Sequence, residues 1–181
     1  MEARLSSANA CVAPDDRLAR PRSAAAASKP VDTKGSLTAM LELTQIVAIL
    51  ASTLFAGAAL YVSLVEHPAR LSCGTELAAT EFGPSYKRAT VMQVALAVLA
   101  AIAGVIRGLL SGDPIWFVGA AAIIAVIPFT LVVMLPINNR ILEPARDKHS
   151  METRTLLERW GRLHAVRTIV SLAASGLFVV A

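Results

Sequence analysis

The sequence predicts an all-α fold, an integral membrane bundle of four helices running up and down. Three observations point there. Of the 181 residues, 55% are hydrophobic and only 17% are charged, a smaller charged share than a soluble surface carries. The apolar residues come in long blocks rather than as stripes recurring every three or four positions, so lipid is the solvent these segments meet. The connections between blocks are short enough to favour antiparallel neighbours.

Taken in order, residues 1–36 are rich in Ala, Ser, Arg and Pro, include the run Ala24–Ala27, and show no apolar period. They predict a disordered tail. Arg4, Arg17, Arg20 and Arg22 fit a targeting leader, whereas Glu2, Asp15 and Asp16 do not. Residues 37–181 make up the membrane domain. The first span runs from about Leu43 to Val65, with no charge between Glu42 and Glu66, and Pro68 is expected to stop it. A loop with Gly74 and a Gly83-Pro84 turn leads to a second span, from Tyr86–Ala89 to Ile106. Ser111-Gly112-Asp113-Pro114 reads as a turn followed by a helix start. The third span covers Pro114 to Ile137, with Pro128 a candidate kink that membrane helices tolerate. A polar segment, 138–160, includes an expected surface helix over 150–160.

The last span carries most information. Thr168 to Ala181 offers only fourteen uncharged residues, which at ~1.5 Å each cover roughly 21 Å. The hydrocarbon core is about 30 Å thick. Crossing it draws Leu163–Arg167 inward and brings His164 and Arg167 to the membrane edge. Small residues four apart, Ala97 with Ala101 and Ala100 with Gly104, mark a close-packing face on the second span. Ala173 with Gly176 is a weaker match on the fourth.

The net charge of +4 sits beside the apolar blocks, which points to lipid headgroups rather than nucleic acid. Arg70, Lys87 and Arg88 follow the first span, and Arg140, Arg146, Lys148, Arg154, Arg159 and Arg162 follow the third. These connections are expected on the cytoplasmic side, with both termini opposite, in an endomembrane such as the endoplasmic reticulum if the cell is eukaryotic. The two cysteines, Cys11 and Cys73, have no second cysteine nearby, which argues against a thiolate metal site or a disulfide framework.

Topology gathers the chemistry at one end. His67 ends the first span, Tyr86 and Arg88 start the second, Asn138 and Asn139 end the third, and Trp160, His164 and Arg167 open the fourth. Trp160, His164 and Arg167 share one helical face by spacing, and Tyr86 and Gln93 lie two turns apart. Ionisable groups at membrane depth are costly, which makes this end the candidate site. Each residue also has a plain structural reading: interfacial rings for Trp160 and Tyr86, a snorkelling Arg167, a helix stop at His67-Pro68. His67 and His164 are spaced to face one another, so a haem held by paired histidines is a further reading. No nucleotide or flavin fingerprint is present.

Tyr61…Glu66-His67-Pro68-Ala69-Arg70, Phe82…Tyr86-Lys87-Arg88, Leu135-Pro136-Ile137-Asn138-Asn139-Arg140 and Leu157…Arg159-Trp160…Leu163-His164…Val166-Arg167 together resemble the fungal anthrone oxygenase family. The resemblance spans about Leu43 to Ala181, and its tightest piece is Trp160-x3-His164-x2-Arg167. It implies oxidation of an anthrone to an anthraquinone in aromatic polyketide secondary metabolism, with dioxygen as co-substrate and without metal, flavin or haem. It further implies a small lipophilic aromatic substrate taken from the bilayer. His164 or His67 would be the base, Arg167 assisted by Asn138 would stabilise the anion, and Trp160 and Tyr86 would bind the rings. A non-enzymatic membrane scaffold built on the same domain is the alternative, and a small haem protein a third.

Overall fold

A computed structural model describes residues 33–181. Of the expected 1–36 tail, residues 1–32 lie outside the described part, while residues 33–36 are helical, the first helix beginning at Thr33 rather than at residue 37. Four helices, α1 (Thr33–Ser72), α2 (Thr75–Ser111), α3 (Ile115–Ile141) and α4 (Met151–Val180), are each long and apolar enough to cross a membrane. Consecutive helices run antiparallel through short connections. α1 and α3 each pack against both α2 and α4, which gives an up-down square bundle. Leu43, Leu64, Val91, Leu109, Val132 and Ile169 are exposed on the outside, a lipid-facing belt rather than a water-facing one.

Two apolar clusters fill the interior. One lies towards the α2/α3 turn and contains Phe55, Trp116, Ile123 and Phe178 among alanines such as Ala97, Ala100 and Ala174. The other lies towards the α1/α2 and α3/α4 connections and contains Phe82, Met134, Ile137, Leu157 and Trp160. The small-residue face of α2 is buried as expected, and it works by admitting rings. A Cβ added at Gly104 would come within 2.8 Å of Phe178, one at Gly119 within 2.6 Å of the same ring, and one at Gly108 within 2.9 Å of Phe117. On α4 the packing face is Ser171, Ala174, Ser175 and Phe178. Ala173 and Gly176 are exposed, so that expected pair does not pack.

The helices run further than the sequence suggested. Pro68 does not end α1, and Gly83-Pro84 is not a turn. The α1/α2 break is confined to Cys73 and Gly74, where Gly74 takes a φ of +102°. α2 passes straight through Pro84. The residues flanking this proline are held from α1, because Arg70 pairs with Glu81 and the Ser85 hydroxyl donates to Glu66. With 37 residues, α2 is ~55 Å long, so its first turns lie beyond the ~30 Å apolar layer. α3 continues past Ile137 to Ile141, which puts Asn138 inside the helix. The expected surface helix over 150–160 is the opening of α4 itself, capped where Ser150 Oγ accepts the Thr153 N–H. At the other turn the reading holds: Gly112 closes α2 at a φ of +74°, and Asp113 Oδ1 accepts the Ile115 N–H at 3.0 Å.

Two irregular turns follow one plan. In α1 the segment Val62–Glu66 is a π turn, with the His67 N–H bonded to Val62 five residues back, and Pro68 comes next. In α3 the segment Thr130–Met134 is a π turn, with the Leu135 N–H bonded to Thr130, and Pro136 comes next. A proline in a regular α-helix presses on the carbonyl four residues back and leaves it without a donor. A widened turn just before it relieves that conflict inside a continuous helix. Both π turns lie at one level of the bundle, between the two apolar clusters.

Candidate functional site

That level is a polar layer. Ser63 from the π turn of α1, Gln93 from α2, Asn138 from α3 and His164, Arg167 and Thr168 from α4 meet between the clusters, and all but Ser63 and Arg167 are buried. A narrow cleft of about 30 Å³ opens there, lined by Tyr86, Gln93, Asn138, Trp160, His164 and Arg167, together with Arg70, Phe82, Thr130 and Met134. Five of the six expected site residues thus share one cavity. His67 is the exception. It is buried behind Trp160, ring centroids 5.0 Å apart, with Nε2 so close to Gly161 that a Cβ there would lie 2.6 Å away. That nitrogen has no open side for an iron. Arg88 and Asn139 are exposed and stand outside the site.

Trp160 is the hub of the aromatic packing. His164 stacks on it at 4.7 Å, Phe82 meets it edge-on at 5.2 Å, and Phe82 in turn stacks on Tyr86 at 5.7 Å. Trp160 is therefore ringed by neighbours, and the group it leaves uncommitted is its indole N–H, buried without an acceptor. Asn138 is fully buried, with neither its amide nitrogen nor its oxygen hydrogen-bonded. The Arg167 guanidinium donates to Gln93 Oε1 and lies over the Phe55 ring, while its Nε has no partner. Buried polar groups in native proteins are normally satisfied, and in a low-dielectric bundle an unmet donor is costly. Unmet groups occur elsewhere too, on His67, Arg107, Trp116 and Ser175, but those of Asn138, Trp160 and Arg167 gather round one cleft.

His164 is held differently. Its Nδ1 is 2.9 Å from Ser63 Oγ, and Ser63 Oγ is 2.8 Å from Thr168 Oγ1. Nε2 has no hydrogen bond among the described residues. Towards the membrane surface Arg70, only 6% exposed, is fixed by Glu66 and Glu81 and closes the layer. Among the described residues no group of three or more His, Cys, Asp or Glu side chains is placed to hold a metal ion.

Sequence reasoning left out Ser63, Thr168 and Arg70 as site residues, and noted Gln93 only for its spacing from Tyr86. For two of them a signal was present. Ser63 interrupts the apolar run from Leu60 to Val65, and Gln93 interrupts the one from Val91 to Leu99. An isolated polar side chain inside a membrane helix faces the bundle rather than lipid. Arg70 looked like a loop charge only because the loop was drawn too long.

Comparison with known proteins bears on this cavity. A sequence profile described as anthrone oxygenase matches residues 82–177, just over half of the chain. The matched stretch includes Tyr86, Gln93, Asn138, Trp160, His164 and Arg167 and stops short of Ser63, His67 and Arg70. A curated protein, anthrone oxygenase tpcL of Aspergillus fumigatus, is 28% identical over 145 residues, covering 75% of this chain and 90% of the relative. No solved structure matches the chain.

Proposed function

The chain belongs to the anthrone oxygenase family, and from that premise we propose that it oxidises an anthrone to an anthraquinone with dioxygen, using its own side chains and no metal, flavin or haem. One observation carries the reading: within the matched region, His164 lines a cleft with Arg167, Asn138 and Trp160, each of which buries a hydrogen-bond donor without a partner.

An anthrone methylene lies between two aryl rings and is acidified by the ring carbonyl opposite. His164 Nε2 takes a methylene proton. Negative charge moves to the carbonyl oxygen, where Arg167, the Asn138 amide and the Trp160 N–H supply hydrogen bonds already in place. The carbanion passes electrons to dioxygen, and a C–O bond forms at the same carbon. The peroxide anion recovers the proton from His164. The second methylene hydrogen then leaves as a proton while the O–O bond breaks and hydroxide departs as water. One oxygen atom ends in the quinone and the other in water, so no outside reductant enters.

Access from lipid suits such a substrate. A second hollow of about 70 Å³ between α2 and α3 shares Tyr86, Thr90, Gln93, Thr130 and Arg167 with the first. It continues past Val94 and Leu131, which are exposed on the outer surface. A flat apolar molecule dissolved in the bilayer would meet this opening directly. In a eukaryotic cell the reading puts the protein in the endoplasmic reticulum, with the basic α3/α4 connection in the cytoplasm.

Membranes carrying the protein, supplied with emodin anthrone and ¹⁸O₂, test this. The expected result is oxygen-dependent formation of emodin with one labelled atom in the new carbonyl, faster than in heat-treated membranes. A rate equal to that background would overturn the assignment for this substrate class.

A further inference from the structure

Ser63 and Thr168 do not line the cavity, yet they determine what His164 offers to it. Thr168 is buried at 3% exposure, and its Oγ1 lies 3.2 Å from the Ala59 carbonyl oxygen and 3.0 Å from that of His164. Carbonyl oxygens only accept, and a hydroxyl has one proton to give. Were the Thr168 proton turned towards Ser63, its oxygen would face two carbonyl oxygens at hydrogen-bond distance with no proton between, inside the bundle, where such a mismatch is most costly. Thr168 therefore donates to the backbone. Its oxygen then accepts from Ser63 at 2.8 Å, which commits the single Ser63 proton. Ser63 Oγ is left as an acceptor, 2.9 Å from His164 Nδ1. Nδ1 must carry the hydrogen, and Nε2 keeps its lone pair.

We propose that Ser63 and Thr168 are positioning residues that set the His164 tautomer, so that Nε2 stands ready to accept a proton. The inference rests on the reading of His164 as the base and supplies what that reading lacks, since an imidazole with its proton on Nε2 could not take one from the substrate at that atom. The device spans two helices. The π turn of α1 carries Ser63 to α4, and Thr168, one turn beyond His164, anchors the relay to the backbone of both.

The tautomer can be read without substrate. The chain holds three histidines, and in detergent micelles ¹⁵N-histidine NMR separates a protonated ring nitrogen from a bare one, with the His164 signals identified by their loss in His164→Ala. Wild type should show the proton on Nδ1. Thr168→Val keeps the volume but frees Ser63 to donate to Nδ1, so the proton should shift towards Nε2, and Thr168→Ser should restore it. In parallel, Thr168→Val should lower kcat about ten- to hundredfold, as loss of an orienting partner does, with KM unchanged and kcat recovered in Thr168→Ser. A wild-type spectrum with the proton on Nε2 overturns the relay whatever happens to the variants, as does a Thr168→Val protein with unaltered tautomer and kcat. If the tautomer is as expected but no anthrone is oxidised, the relay stands and the oxygenase reading fails.

Discussion

Towards the α2/α3 turn the interior of the bundle is closely packed. Gly104, Gly108 and Gly119 let the rings of Phe117 and Phe178 sit against bare backbone, and Trp116 is fully buried with Arg107 over its face at 5.1 Å. Towards the α1/α2 and α3/α4 connections two of the four helices, α1 and α3, are irregular. Each carries a π turn followed by a proline, Pro68 in α1 and Pro136 in α3, and Asn138, Trp160 and Arg167 bury atoms with no partner in the protein. Local irregularity and unmet polar groups persist only where surrounding structure holds them, and they gather at functional sites. The packed end also buries unpartnered atoms, Trp116 Nε1, Arg107 Nε and Ser175 Oγ; what sets the other end apart is that its unmet groups line a cleft beside two π turns.

Substitutions at the two ends should therefore fail in different ways. The largest effect belongs to His164→Ala, which is expected to slow anthrone turnover by about two to four orders of magnitude, measured as initial rate at equal amounts of folded protein. An unchanged rate would remove His164 as the base and leave His67 as the next candidate. Arg167→Ala should lose about 2.7–4 kcal/mol of transition-state stabilisation. Arg167→Lys should recover part of it at most, since a point charge does not reproduce the planar fork that reaches Gln93 and lies over Phe55.

At the packed end, Gly119→Ala drives a methyl group into Phe178 and should lower stability by about 1–3 kcal/mol, read from denaturant unfolding in micelles, while KM stays put. Loss of turnover in folded Gly119→Ala protein would mean that the two ends are not separable. The smallest effect is expected for Arg107→Ala. It should cost about 0.5–1 kcal/mol of stability from its contact with Trp116 and leave turnover as it is.

The comparison also shows where sequence carries information. Apolar blocks and their order were enough for four spans, because lipid exposure is written in composition. The fourth span was too short without Leu163–Arg167, which drew His164 and Arg167 to the membrane edge; the structure has His164 buried between the helices and Arg167 half-buried beside it. The prolines misled. Pro68 and the Gly83-Pro84 pair read as stops under rules for isolated helices, whereas here a π turn or ties from a neighbouring helix carry the chain through. Contacts across helices were beyond reach. Nothing local ties Ser63 to Thr168, 105 residues away, and His67 and His164 looked equivalent until packing put one behind Trp160 and the other against the cavity.

Proton abstraction at the polar end is the step on which the account turns, and it can be isolated from oxygen chemistry. Under strict anaerobiosis in deuterated buffer, a base at the site should exchange the methylene hydrogens of emodin anthrone for deuterium without forming product. Wild type and Arg107→Ala should both accelerate exchange above the spontaneous rate, and His164→Ala should return it to that rate. Equal acceleration by wild type and His164→Ala, or none by the wild type, would contradict the account.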